Sequence, residues 1–391
     1  MNAYSERAIA ARRSAIREIF DAANELVDEP IRLEIGEASF NTPAHIVEAA
    51  LAAAREGFTR YTPNGGYASL RELLADKIAG VDGYAVTPEE IVVTPGGMNA
   101  IFSLYLALLN AGDEVLLPTP GFPNMNEMVK LLGGVPVFYE LRQENDYLPD
   151  LEELEALATP RTKAVFTISP GNPTGAVFPR ELVEQLVQLT QRYEAWLISD
   201  EVYDELIWDD EPPHYSPACL DRTRVACVYS FSKVYAMTGW RVGYCTAPPE
   251  LAALLRKVQE PICSCPSSVS QKAAEAALTG PRDELEATFR IYRERRDRAW
   301  ASVEALGLAG FKPQATFYML LDVSAAQLES MEFAKRLLEQ KRVAVAPGVV
   351  FGPGGHGKVR VSFAGEPELF EEGFRRLAAF VEERAASPVA G

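Results

Sequence analysis

The sequence predicts an α/β fold: a large domain with a mostly parallel seven-stranded sheet between helices, and a smaller α+β domain after it. Three observations carry that expectation. Between about residues 45 and 280, short β-rich runs alternate with apolar helical patterns, as in βαβ units. Clusters of proline and glycine punctuate the ends of those runs. One long charged stretch, 284–305, then leads to a second and shorter set of strands and helices.

Seven runs read as strands: 91–94, 114–118, 135–139, 163–168, 196–199, 225–230 and 242–246. Among the helical patterns between them, Leu182, Val183, Leu186, Val187 and Leu189 cluster on one face, with Arg180, Glu184 and Arg192 elsewhere. Turn signals close several strands, at Pro95-Gly96-Gly97, at 118–123 and at Pro170-Gly171-Asn172-Pro173. Ligands of open α/β sheets bind at the carboxyl ends of strands, so these loops are where a site is expected. Beyond the long helix, 317–323 and 359–363 read as strands, and 329–341 and 367–384 as helices. The expected division is 45–283 for the large domain and 284–391 for the small one, with 1–44 joining the small domain.

Composition narrows the function. With 391 residues, 48% apolar and 24% charged, the chain has the balance of a globular protein with ample core. A net charge of −17 makes nucleic acid and anionic membrane surfaces poor partners. The basic pairs Arg12-Arg13 and Arg295-Arg296 lie in mixed-charge helical stretches and read as solvated faces. No apolar run approaches the roughly 18–20 residues of a membrane span, and the first twenty residues lack a signal-peptide layout. Five cysteines make no disulfide framework, which points to the cytoplasm. Cys263-x-Cys265 and three scattered histidines offer no metal-ligand spacing, so no metal site is expected. Gly352–Lys358, GPGGHGK, begins like a nucleotide-binding loop, but Val359 replaces the hydroxyl residue and a strand follows where a helix is required.

The strongest chemical signal is SFSKVYAMTGWRVGY, 230–244. A strand ends at Ser230, Lys233 follows, and Arg241 comes eight residues later. An amine beside hydroxyls and an arginine suits a carbonyl-bearing phosphate ligand: Lys233 forms a Schiff base, while Arg241, Ser230 and Ser232 hold the phosphate. Three more segments add to it. SPGNPTG (169–175) places Asn172 on a loop after a strand, and ISDEVYDEL (198–206) ends a strand at Asp200 with Tyr203 three residues on. VTPGGMNAIFSL (92–104) is a strand, a tight turn and a helix start, whose amides at Gly96, Gly97 and Met98 can cradle a phosphate.

In these segments the sequence resembles the class I/II aminotransferases of fold type I, in the prokaryotic aspartate-aminotransferase-like branch, over nearly the whole chain. The resemblance extends to the glycine loop LEIGEASFNTPAHI (33–46), to YTPNGGYASLREL (61–73) and to PGVVFGPGGHGKVRVSFA (347–364). It implies pyridoxal 5′-phosphate as cofactor, held by Lys233, with Asp200 on the pyridine nitrogen and Asn172 and Tyr203 on O3′. Phe122 matches the aromatic that stacks on the ring, and Tyr61 the tyrosine that reaches the phosphate of a neighbouring subunit in a homodimer. Arg360 and the Gly36 amide match the binders of the substrate carboxylate. The implied activity is ping-pong transfer of an amino group between an L-amino acid and a 2-oxo acid. Met98 stands where an acid-specific branch has lysine, which favours a neutral or apolar substrate. Aspartate aminotransferase, a C–S β-lyase or a synthase on the same scaffold are the alternatives left open.

Overall fold

The computed structural model describes residues 4–11, 13–208 and 214–386. Its strands, in chain order, are β1 (Ile31–Arg32), β2 (Ile91–Thr94), β3 (Glu114–Thr119), β4 (Val135–Glu140), β5 (Thr162–Ile168), β6 (Trp196–Asp200), β7 (Val225–Ser230), β8 (Gly243–Thr246), β9 (Tyr318–Asp322), β10 (Val343–Ala344), β11 (Ala346–Pro347) and β12 (Lys358–Ser362). The seven strands read from the sequence are β2 to β8, each within a residue at either end. They form one sheet in the order β2-β8-β7-β6-β5-β3-β4. Only β8 runs against its neighbours, antiparallel to both β2 and β7. The sheet is therefore mostly parallel.

Strands covered on both faces read as continuous apolar runs, yet their side chains still alternate. Val92, Val115, Phe166, Ile198, Val228 and Cys245 pack one way, into a core shared with Ile101, Leu104, Leu251 and Leu255 of the helices Gly97–Leu108 and Pro249–Cys263. Val93, Leu116, Val165, Leu197, Cys227 and Tyr244 point the other way, into a larger core with Leu182, Leu186 and Leu189 of the helix Arg180–Arg192. Helices thus cover both faces and leave the strand ends free to carry loops.

A second layer forms from both ends of the chain. β9, β12 and β11 make an antiparallel sheet in the order β11-β12-β9. Early β1 pairs in parallel with late β10, Ile31 opposite Val343. The charged stretch forms a single helix, Asp283–Ala305. GPGGHGK ends by entering β12, a strand. Among the described residues no helix is long and apolar enough to cross a membrane.

One expectation is overturned. Arg295 and Arg296 are buried, at 4% and 1% exposure, not parts of a solvated face. Arg295 donates to Ser39 Oγ (2.7 Å) and to the Ala364 carbonyl, pairs with Glu366 (2.5 Å) and lies over the Phe40 ring. Arg296 donates to the Pro313 carbonyl at 3.1 Å. Both guanidiniums stitch the long helix to loops that end other elements, a task for a fork of several donors. Arg13 is exposed, and Arg12 lies outside the described residues.

Because the buried Arg295 serves the buried Ala364 carbonyl while its ion-pair partner Glu366 is 65% exposed, the two should differ when removed. Thermal melting is expected to show Arg295→Met destabilised by about 2–3 kcal/mol and Glu366→Ala by no more than about 1 kcal/mol.

Candidate active site

Loops at the carboxyl ends of β2, β3, β5, β6 and β7 converge on a cleft of about 540 Å³. Gly36, Gly97, Met98, Phe122, Asn172, Asp200, Tyr203, Ser230, Ser232, Lys233, Arg241 and Arg360 all line it. Two expected residues do not. Gly96 lies behind the wall, and Tyr61 is 89% exposed, away from the cleft of its own chain.

Asp200 ends β6 between β5 and β7, where backbone pairing on both sides fixes it. Its carboxylate receives one main-chain hydrogen bond, from the Val202 N–H at 3.4 Å. Burial pushes its pKa up to about 7; Glu201 adds to the rise, and the Val202 N–H and Lys233 oppose it. The adjacent Glu201 is equally buried but well supplied: Tyr229 Oη and Ser216 Oγ donate at 2.8 and 3.0 Å, and His214 Nε2 lies 3.0 Å away. Burial works against its charge too, yet His214 and these donors outweigh it and hold Glu201 below the ordinary carboxylate range. Of two neighbouring carboxylates, Asp200 is the one short of a cationic partner. A protonated ring nitrogen is such a partner.

The anion-binding side is built around a close approach. The helix Gly97–Leu108 begins at Gly96, whose φ of +83° suits glycine. A methyl on Gly96 would stand 2.4 Å from Arg241 Nη2, so only glycine lets the guanidinium reach the helix start. Arg241 itself sits in the left-handed region, φ +54°, with Nη1 donating to the Thr238 carbonyl at 2.7 Å. Ser230 Oγ caps the short helix Phe231–Val234, accepting from the Ser232 N–H at 3.1 Å. Guanidinium, hydroxyl and helix-start amides together suit a phosphate ester.

The far wall comes from the second layer. Arg360, on β12, donates from Nη1 to Asn172 Oδ1 (3.1 Å) and from Nη2 to the Glu34 carbonyl (2.7 Å). Asn172 Nδ2 donates to the Tyr203 hydroxyl (3.4 Å), which donates to the Tyr318 hydroxyl (3.2 Å). Two of the five guanidinium donors are thereby used, leaving a fork that can take a carboxylate. Lys233 Nζ donates to the Gly36 carbonyl at 2.6 Å, which ties the lysine to the glycine loop. That loop passes so near Tyr318 that a methyl on Gly36 would lie 2.1 Å from its hydroxyl.

Tyr318, Glu34, Thr238 and the helix Ala15–Asn24, which brings Ile16, Arg17 and Phe20 to the cleft, were not among the expected site residues. The helix has a sequence signal: Ile16, Ile19, Phe20 and Ala23 keep the spacing of an amphipathic face. Tyr318 and Glu34 have none, being single polar groups in apolar runs.

Residues 28–377 match the family described as aminotransferase class I and II. The chain is 40% identical over 351 residues to the aspartate/prephenate aminotransferase of Thermus thermophilus, covering 89% of this chain and 90% of that protein. It is 35% identical over 387 residues to aromatic-amino-acid aminotransferase 2 of Thermococcus litoralis, covering 98% and 99%. Among solved structures, aspartate aminotransferase from Thermus thermophilus with maleate superposes with a TM-score of 0.92 at 38% identity, covering 97% of this chain and all of that one.

Burial of Asp200 gives the ligand-free protein a pH signature. The unfolded carboxyl ionises near 3.8 and the buried one near 7, so between them the unfolded chain binds fewer protons and stability falls as pH rises. Melting curves without ligand should show Asp200→Asn more stable than the parent at about pH 8, by a few kcal/mol, with the gap closing around pH 4.

Proposed function

This chain belongs to the class I and II aminotransferase family, and from that premise we infer its residue roles, its donor and its assembly. It is a pyridoxal 5′-phosphate-dependent aminotransferase of fold type I, transferring amino groups between an amino acid and a 2-oxo acid. Lys233, Asp200 and Arg360, carried on separate elements yet opening on one cleft, support the assignment of roles most directly.

The residues present fit the cofactor. Asp200 lacks a cation that a pyridine N–H would supply, and the Gly96–Arg241 approach leaves a cradle that a Cβ would fill. Once bound, the cofactor supplies an electron sink that stabilises negative charge at the substrate Cα. Arg241, Ser230, Ser232 and the amides of Gly97 and Met98 would hold its phosphate, while the Gly96 N–H is taken by the Thr94 carbonyl at 2.7 Å. Phe122 would stack on the ring, and Asn172 and Tyr203 would hold O3′. Lys233 would hold the cofactor aldehyde and, when released by the substrate amine, carry the proton to and from Cα. Arg360 and the Gly36 N–H would fix the substrate carboxylate, setting the Cα–H bond against Lys233.

The donor assigned is a neutral or apolar L-amino acid, supported by Ile16, Phe20, Met98, Ile101, Phe122 and Ile168 around the cleft. Arg17 on the same wall supports a second reading, aspartate. The same proposal divides the chain at residues 44 and 283, with 1–44 and 284–391 forming the small domain, in keeping with the β1–β10 pairing. Five free thiols suit a reducing compartment, and the proposed location is the cytoplasm.

Steady-state rates with a 2-oxo acid acceptor should give parallel double-reciprocal lines, with leucine or phenylalanine exceeding aspartate in kcat/KM by about tenfold or more. Preference for aspartate would move the assignment to aspartate aminotransferase. Release of ammonia from a cysteine conjugate without acceptor would move it to a β-lyase.

A ring 89% exposed and outside the cleft of its own chain suits a site completed by a second copy, so the proposed unit is a homodimer in which Tyr61 reaches its neighbour's phosphate. Neither Lys233→Ala nor Tyr61→Ala should be fully active alone. Dissociated and reassociated together, they should recover activity, because each mixed dimer holds one intact site; failure of mixing to add activity contradicts the shared arrangement.

A further inference from the structure

Among the described residues, Arg360 is a buried cation without a directly paired anion. Its residue is 2% exposed, and both its hydrogen bonds go to uncharged oxygens, Asn172 Oδ1 and the Glu34 carbonyl. Its guanidinium otherwise lies over the faces of Tyr318 (4.3 Å) and Phe351 (5.2 Å). Burial lowers its proton affinity from the ordinary arginine value; Tyr318, Tyr203 and then the Glu34 carboxylate oppose the fall. Buried charges normally pair directly, because leaving one uncompensated is strongly destabilising.

Glu34 contacts Arg360 through its main chain while its side chain is taken elsewhere. Arg32 grips Glu34 Oε1 with Nε at 2.7 Å and Nη2 at 2.6 Å. Arg32 is in turn fastened to the helix Ala15–Asn24: Nη1 donates to Asn24 Oδ1 (2.7 Å), Nη2 to the Phe20 carbonyl (3.5 Å), and its plane covers the Phe20 ring at 4.7 Å. Among the described residues, two buried atoms next to this junction keep an unfilled valence: Glu34 Oε2 and Arg360 Nε. A carboxylate with a spare oxygen and a guanidinium with a spare N–H therefore sit on the same cleft wall without pairing.

We propose that Arg32 is a positioning residue which, by holding the Glu34 carboxylate, keeps Arg360 open for the carboxylate of the substrate. The inference rests on reading Arg360 as the substrate-carboxylate site. Without Arg32, Glu34 is a buried unpaired anion one residue's reach from a buried unpaired cation, and the two collapse together. Incoming carboxylates must then displace an internal one. The Arg32–Glu34 pair acts on substrate affinity, and the proton transfer at Cα is untouched by it.

Binding of two carboxylates that lack an amino group, 3-phenylpropanoate and maleate, to the holoenzyme by calorimetry reads this apart from any reaction. Arg32→Met should weaken both by about tenfold or more, while kcat at saturating donor changes by less than about threefold. Glu34→Gln should bind at least as tightly as the parent, and Arg32→Met/Glu34→Gln should return to within about threefold of it. A purely structural role for Arg32 predicts no such rescue. Unchanged affinity in Arg32→Met, or a double variant as weak as Arg32→Met alone, overturns the proposal. If Arg32→Met does not fold, Glu34→Gln decides: a tenfold loss there overturns it and tighter binding sustains it. Failure of the parent to bind either probe removes instead the assignment of Arg360.

Discussion

Holding the Asp200 carboxylate out of water at the carboxyl end of β6 is the constraint on which the cleft depends. Strands on both sides fix that residue, and among the described residues a single main-chain N–H donates to its carboxylate. An isolated carboxylate so placed resists ionising, and a cation beside it favours the charged form. Glu201 shows the alternative: equal burial with three partners yields a settled anion that asks for nothing. The role proposed for Asp200, beside a protonated ring nitrogen, rests on what the fold withholds from it.

Around that point the remaining contacts are short reaches between different parts of the chain. Glycine at 96 admits Arg241, and glycine at 36 admits Tyr318. Lys233 bonds the Gly36 carbonyl, and Arg360 bonds the Glu34 carbonyl two residues earlier. One loop, 34–36, thus anchors both the Lys233 amine and the Arg360 guanidinium through its carbonyls, which ties their separation to backbone geometry. That is a sound way to hold a reacting centre, since small displacements cost rate steeply.

Much of this was legible in the sequence, for identifiable reasons. The strands of the large sheet are buried on both faces, and a continuous apolar run ended by Pro or Gly marks its own limits. Asn172, Asp200 and Lys233 stand just past such limits, each in a distinctive local pattern. Arg295 and Arg296 misled because a basic pair in a charged helix looks the same whether it faces water or loop carbonyls. Glu34 and Tyr318 gave no sign: Arg360 and Tyr203 come near them only after folding, and Arg32, two residues from Glu34, reads as one more charge in an apolar run. Within its own chain the Tyr61 ring is 89% exposed, so the fold of one chain adds nothing to what the resemblance implies for it.

The parallel pairing of β1 with β10 has a temporal consequence. A chain made from its amino end can complete β2 to β8 while everything after residue 246 is still to come, and N-terminal units generally fold first. Residues 31–36 then wait for partners more than 300 positions downstream, Val343 for Ile31 and Arg360 for Glu34. A nascent chain can therefore bring Gly96, Ser230 and Arg241 together before Arg360 exists, so the phosphate contacts proposed for one subunit can form ahead of the proposed substrate contact by the time taken to make the last third of the protein.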